Sequence, residues 1–563
     1  MARLVRWQAL LAVLGILAVG GLLAQLSLTR QAVVLPVRGG SYVEGIVGTV
    51  QTLNPLLASN DAERAIVRLL FEGLSRLEPD GSVTPALAER WEVSPAGTVY
   101  TCTLRSGVRW HDGAPLTSAD ILYTVALVRS PDFPDPNGLA ELWKRVEVEA
   151  LDDRRVRFVL ERPYAPFLSY TTLAILPSHL LRDVEPAALL QSDFNRHPVG
   201  TGPFRVAGMQ EGSKGLSVLD LEANPYFYGR LPYLETVRFR FYPSEEELVE
   251  ALLGQEVDGA FGLSSVALSR AGSRSDLVLY RTYVQACTIL FLNTQSPLLA
   301  DRRVRQAISY GLDLPALLNE LGEPVFPANG PISPISWAYK TDLPPLQHDV
   351  DAASRLLEES GWHDQNGDGV RDRDVRSLEL TLLTRDIPPE RQVVARRIKE
   401  QLAMLGIAVR VVIEEDPTVF RERLEARDYD LLLYGWGQLG RDPDGFALWH
   451  SSQAGPGGFN VSGFQNAEAD RLLEEGRTVL DRDERTRAYW EFQELFQREV
   501  PAIPLYYPEF VYLVSSRVRG IELTPLNDLG DRFRTIAFWY IKTQKVILGR
   551  SRPIEPYRPG EQP

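Results

Sequence analysis

The sequence predicts an α/β fold divided into lobes, on three observations. At 563 residues the chain exceeds what one ordinary hydrophobic core serves, so two or three domains or lobes are expected. Its composition, 44% hydrophobic and 24% charged, is that of a folded protein without disordered bias. Residues 378–437 alternate strand-like and helix-like segments with the rhythm of a parallel sheet covered by helices.

At the start of the chain, Arg3 and Arg6 precede an uncharged apolar run, residues 7–28, near the roughly 20 residues that cross a bilayer. The arginines favour an N-in orientation. Residues 1–30 therefore read as a signal peptide or, with no clean Ala-x-Ala site, as a retained anchor. The rest of the chain is expected outside the cytoplasm, in the periplasm or at the cell surface, tethered by residues 7–28. The first half then mixes short β-like runs with turns, such as "TVYTCTLRSG" and "RRVRFVLERP". "LELTLLTR" reads as a strand. "PPERQVVARRIKEQLAMLG" reads as a helix with Val394, Ile398, Leu402 and Leu405 on one face and Gly406 at its stop. "IAVRVVIEE" is a second strand, "PTVFRERLEARD" a second helix and "YDLLLYGWG" a third strand. Ligands of such sheets gather beyond the carboxyl ends of the strands, which directs attention to Tyr434, Gly435 and Trp436. A proline-rich tail, residues 546–563, closes the chain.

Several function classes are disfavoured. A net charge of -14 without a basic face argues against nucleic acid. The two cysteines, Cys102 and Cys287, belong to no metal-ligand cluster; they form one disulfide or stay two buried thiols, and spacing does not choose. All six histidines are isolated, with no HExxH and no GxSxG elbow, so hydrolase chemistry is not signalled. "GWGQLG" matches GxGxxG, but Pro443 interrupts the helix a dinucleotide would need, and Asn460 stands where an acidic residue should. "HDQNGDGVRDRD" has calcium-loop spacing, with Asp364, Asn366, Asp368, Val370 and Asp372 at alternate places. Val375 takes the twelfth place, where a bidentate glutamate should close the site, so any bound calcium is expected to be weak and structural.

"LRSGVRWHDGAPLTSADILYTV" resembles the signature of the family-5 extracellular solute-binding proteins, the peptide, dipeptide and nickel binders of ABC importers. In the family's order follow "VGTGPFRV", "NPYFYGRLPYLETVRFRFYP", "DRRVRQAISYGLD", "LLEESGWHDQNGDG", "YGWGQLGRDPDGF" and "ELFQREVPAIPLYY", so the similarity spans roughly residues 40–540. The resemblance implies a two-lobed clamp of the type II periplasmic-binding-protein kind, with an extra subdomain and helices on both faces of mixed sheets. It implies a first lobe over residues 40–290 with an insertion near 60–190, a second α/β lobe over 291–495, and a return to the first over 496–545.

The implied function is capture of a peptide or similar small solute by hinge closure and delivery to an ABC permease, without catalysis. A ligand-presenting sensor of the same fold and a secreted hydrolase are the alternatives. In peptide-binding members the strand-end tryptophan is followed three residues later by an aspartate that takes the peptide's ammonium. Trp436 matches the tryptophan, but the third residue is Leu439, which points towards longer or modified peptides, oligosaccharides or other neutral solutes. Tyr434, Gly437, Asn293, Trp337 and Tyr506 complete the candidate ligand contacts.

Overall fold

A computed structural model of the chain describes residue 7 and residues 12–21, 32–212, 215–321, 325–437 and 442–547. Residues 12–21 of the N-terminal segment are helical, and no helix among the described residues is long and apolar enough to cross a membrane.

The alternating stretch folds as its periodicity dictates. Strands Glu379–Arg385, Ala408–Glu414 and Leu431–Trp436 pair in parallel, joined by helices Glu390–Ala403 and Pro417–Ala426. Leu431 and Leu433 pack with Val394, Ile398 and Leu402 of the first helix on one face. Leu432 packs with Phe420 of the second helix on the other, which is why the strand is apolar at consecutive positions. Cys287–Leu292 adds antiparallel to Leu431–Trp436 and completes the second lobe's sheet with the first half of Ala502–Ser515.

Ala502–Ser515 belongs to both lobes. Residues 502–506 pair with the second lobe, and residues 509–515 pair with Leu277–Tyr283 in the first, where Gly259–Phe261 also joins. The first lobe continues through Ser41–Val47, Thr236–Tyr242, Gly215–Ala223 and Phe204–Gly212, with parallel and antiparallel neighbours. The chain therefore passes between lobes at residues 284–287 and again beside Pro508. Gln285 secures the first passage: its N–H donates to Leu526 O at 2.8 Å and its Nε2 to Pro79 O at 3.1 Å.

A four-stranded antiparallel sheet of Ala88–Val93, Val99–Leu104, Arg155–Leu160 and Val146–Asp152 forms the inserted subdomain. Its Cys102, Trp110 and Phe158 share one continuous core with Tyr42, Leu221 and Phe239 of the first lobe, so the insertion is welded to that lobe. The "WHDG" turn is part of the weld. Gly200 N–H donates to His111 Nδ1 at 3.0 Å and His111 Nε2 lies 3.2 Å from Gly202 O, an arrangement that fixes a neutral ring, and burial lowers its pKa to about 4. Cys102 and Cys287 are free, buried thiols in different lobes.

Beneath the first lobe's sheet lies a buried charge. Arg532 and Glu44 have fully buried side chains; Arg532 Nε donates to Glu44 Oε1 at 3.0 Å, and Nη2 lies 3.0 Å from the same oxygen as an ion pair. Glu44 Oε2 accepts from Tyr512 at 2.7 Å and from Tyr42. The Arg532 guanidinium lies 4.0 Å from the Phe261 ring centroid and 4.2 Å from that of Phe533.

Candidate functional site

Between the lobes lies a cleft of about 3000 Å³, walled by Glu72, Gly73, Tyr164 and Tyr228 from the first lobe and by Trp436, Gly437, Asp444 and Arg477 from the second. Trp436 reaches it because Leu431–Trp436 ends there, with Leu432, Tyr434 and Trp436 on one face of the strand. Its ring meets Phe459 edge to face at 5.8 Å. Gly437, exposed beside it, has open space where a Cβ would stand.

The other aromatic candidates lie apart from the cleft lining. Tyr434 packs on Phe420 at 5.3 Å, with the Arg391 guanidinium 5.0 Å from its ring centroid. Tyr506 is buried against Thr288 in the spanning strand. The Trp337 ring stacks with Arg482 and Arg485, and its backbone N–H donates to Asp80 O at 3.1 Å, so the segment joins the lobes beside the cleft. Asn293 stands at the opposite end of the sheet from Trp436, where its Nδ2 donates to Tyr429 O at 2.9 Å and its Oδ1 caps Gln295 N–H. Leu439 falls outside the described residues.

The calcium-like loop turns its oxygens upon itself. Asp364 accepts from Gly367 and Gly369 N–H, Asn366 Oδ1 from Asp368 N–H, and Asp368 Oδ1 from Val370 N–H, while Asp372 accepts from Ser377. No group of three or more His, Cys, Asp or Glu side chains placed to hold a metal ion occurs among the described residues. The loop is an exposed surface turn whose carboxylate and amide oxygens cap its own N–H groups.

Sequence reasoning missed most of the polar walls. Asp444 pairs with Arg477 at 2.9 Å and accepts from Tyr164 at 3.5 Å, and the Ala165 N–H donates to Arg477 O at 2.8 Å across the lobes. The Arg477 guanidinium sits 3.9 Å from the Phe446 ring centroid and 5.1 Å from that of Tyr164. Asp442 pairs with Arg485 at 2.5 Å; burial pushes its carboxyl up, and the guanidinium pulls back. On the first lobe, Arg64 pairs with Asp528 at 3.2 Å and Arg68 with Asp531 at 2.5 Å.

Glu72 differs from these. Tyr228 donates to its Oε1 at 2.9 Å, and its Oε2 is buried without a hydrogen-bond partner. Burial pushes the carboxyl up to about 7, against the Tyr228 bond and the charges of Arg76 and Arg105. The backbone holds the residue from both sides. Phe71 N–H donates to Val67 O at 2.8 Å where helix Asp61–Leu70 ends, and Ile175 N–H donates to Glu72 O at 3.0 Å. The Tyr228 and Ile175 contacts have no spacing signal, because they join Glu72 to segments far along the chain.

The model of the family described as bacterial extracellular solute-binding proteins, family 5 (middle region), matches residues 82–458. The chain belongs to this family. This family-5 protein is 30% identical over 506 residues to the oligopeptide-binding protein AppA of Bacillus subtilis (strain 168), covering 88% of the chain and 91% of AppA. The structure of Bacillus subtilis AppA in complex with a nonapeptide superposes with a TM-score of 0.68 at 28% identity, covering 90% of this chain and 100% of that one. NikZ from Campylobacter jejuni, solved with Ni(L-His), superposes with a TM-score of 0.71 at 25% identity, covering 89% and 99%. The two-lobed α/β architecture is thus that of the family.

Proposed function

We propose that this family-5 protein is the extracytoplasmic capture subunit of an ABC importer, that its cleft takes a peptide of several residues, and that residues 7–28 tether it to the cytoplasmic membrane. The observation that carries the ligand class is the cleft. At about 3000 Å³ it is roughly three times the upper range of a drug-sized pocket. Its wall charges are largely neutralised in place, Arg64 by Asp528, Arg68 by Asp531 and Arg477 by Asp444. A cleft of that size whose charges are already spent on one another suits an extended ligand with variable side chains, which the Trp436 ring and the open backbone at Gly437 would help to hold. The similarity to a protein solved with a nonapeptide supports the same reading.

Lobe closure supplies the affinity by burying the ligand, and the bound peptide is released unchanged. Native mass spectrometry of protein purified without denaturation tests this. Co-purified peptides of several residues, intact after prolonged incubation, are expected. Retention of only non-peptide solutes would overturn the ligand class, and cleavage of the bound peptides would overturn the absence of catalysis.

A further inference from the structure

We propose that Glu72 is the cation receptor of the cleft, accepting an ammonium or guanidinium of the bound peptide on its free Oε2. This rests on the peptide reading above.

Three observations converge on the residue. Glu72 lines the cleft on the first lobe, while Trp436 and Gly437 line it on the second. Tyr228 donates to its Oε1, Oε2 is buried without a hydrogen-bond partner, and the Thr201 hydroxyl stands beside the carboxylate. A buried acceptor left unmade costs free energy, and the fold has local means of neutralising it that it does not use. Arg76 pairs instead with Glu78 at 3.3 Å, and Arg105 donates through Nε to Ala86 O at 2.6 Å. The neighbouring acids Asp442, Asp444 and Asp531 all have arginine partners. Glu72 is therefore a buried wall carboxylate with an unfilled position that a ligand can complete. The terminal torsion of a glutamate is broad, so Oε2 can turn towards the cleft without disturbing the clamped backbone.

The groups facing it are Tyr228, Thr201, Arg76 and Arg105. The two arginines disfavour a second cation unless the carboxylate is ionised, so recognition strengthens as Glu72 loses its proton near pH 7.

The test uses the full chain, freed of endogenous ligand by unfolding and refolding, with three randomised nonapeptide pools. One has free amino termini and no Lys or Arg, one is N-acetylated and contains Lys, and one is N-acetylated without Lys or Arg. Bound fractions are compared by native mass spectrometry for wild type and Glu72→Gln. Wild type is expected to prefer one or both cationic pools over the neutral pool by about tenfold, the worth of one charge-assisted contact. Which cationic pool is enriched identifies the amine as terminal or side-chain. Glu72→Gln is expected to bind peptide with that preference lost. The wild-type preference should grow as pH rises from 5.5 to 7, below the pKa of about 8 at which free amino termini lose their own charge, a readout that needs no variant. A preference unchanged in Glu72→Gln, or one that falls as pH rises, overturns the inference and leaves the peptide reading standing. Failure of wild type to bind any pool overturns both.

Discussion

Glu44→Gln replaces a carboxylate by an amide of the same shape and leaves the Arg532 guanidinium buried without its counter-charge. Both side chains are fully inaccessible to solvent, so water cannot replace the lost partner. Four contacts are disturbed: two from Arg532, and the hydroxyls of Tyr42 and Tyr512 on Oε2. The amide keeps one acceptor oxygen, so the two contacts on the other atom lose their acceptor and the guanidinium loses its counter-charge. Removing one member of a buried, hydrogen-bonded ion pair costs about 3–5 kcal/mol, a large share of the roughly 5–15 kcal/mol that holds a domain together. The Phe261 and Phe533 faces stay on the guanidinium in both proteins and do not offset the loss. Urea denaturation followed by far-UV circular dichroism measures the change. Arg532→Met and the double substitution complete a thermodynamic cycle. The double variant is expected to be more stable than the sum of the single losses implies, because removing both charges removes the uncompensated one. A loss below about 1 kcal/mol for Glu44→Gln, or strict additivity in the cycle, would refute the reasoning.

Glu72 has a raised folded-state pKa, so wild type loses stability relative to Glu72→Gln as pH rises from about 4.5 to about 7, and the difference is constant above that. The shift corresponds to about 3 kcal/mol at most in favour of Glu72→Gln at pH 8.5, and equal melting temperatures at pH 5 and pH 8.5 would count against it. Trp436→Ala should weaken peptide binding by about 2 kcal/mol, roughly thirtyfold in Kd by calorimetry, whereas Tyr434→Phe, outside the cleft lining, should change Kd less than about threefold. Arg477→Met should take the guanidinium off the Tyr164 ring across the cleft and leave the Asp444 carboxylate that Tyr164 reaches without its anchor, weakening the closed form by about 1 kcal/mol. It would be seen as an enlarged radius of gyration in X-ray scattering; an unchanged radius with unchanged Kd would remove the cross-cleft contact from the mechanism. Gly73→Ala would set a Cβ 2.6 Å from the Thr172 carbonyl, so a stability loss of about 1–3 kcal/mol is expected in thermal melts.

The parallel unit was legible because consecutive apolar residues in its strands and a spaced apolar stripe in its first helix are local signals, and the third strand delivered Trp436 to the cleft. The spanning strand was not. "AIPLYYPEFVYLVS" reads as one apolar run interrupted by prolines, and nothing in it says that its two halves serve different lobes. The cleft charges were invisible for a related reason: Tyr164 meets Asp444 280 residues away, and Glu72 meets Tyr228 156 residues away. At Asp364 the spacing fixed the turn but not its use, because the same spacing serves a calcium loop and a turn that caps its own N–H groups. Leu439 gave notice that one expected carboxylate was gone, but spacing could not offer Glu72 as a carboxylate elsewhere on the wall.

The strand shared by the lobes also sets an order of assembly for a chain that emerges from its N-terminus. The second lobe draws its strands from residues 287–506 and can close as a nearly contiguous unit. The first lobe begins at Ser41–Val47 but must wait for residues 509–515, and Glu44 waits for Arg532, 488 positions later. Until those arrive, Gly259–Phe261 and Leu277–Tyr283 each lack a sheet neighbour, and such open strand edges are where chains stick to one another. Such long-range closure is slow. A chain that crosses a membrane unfolded gains from this delay, since the half that leads the way is the half that cannot yet fold shut.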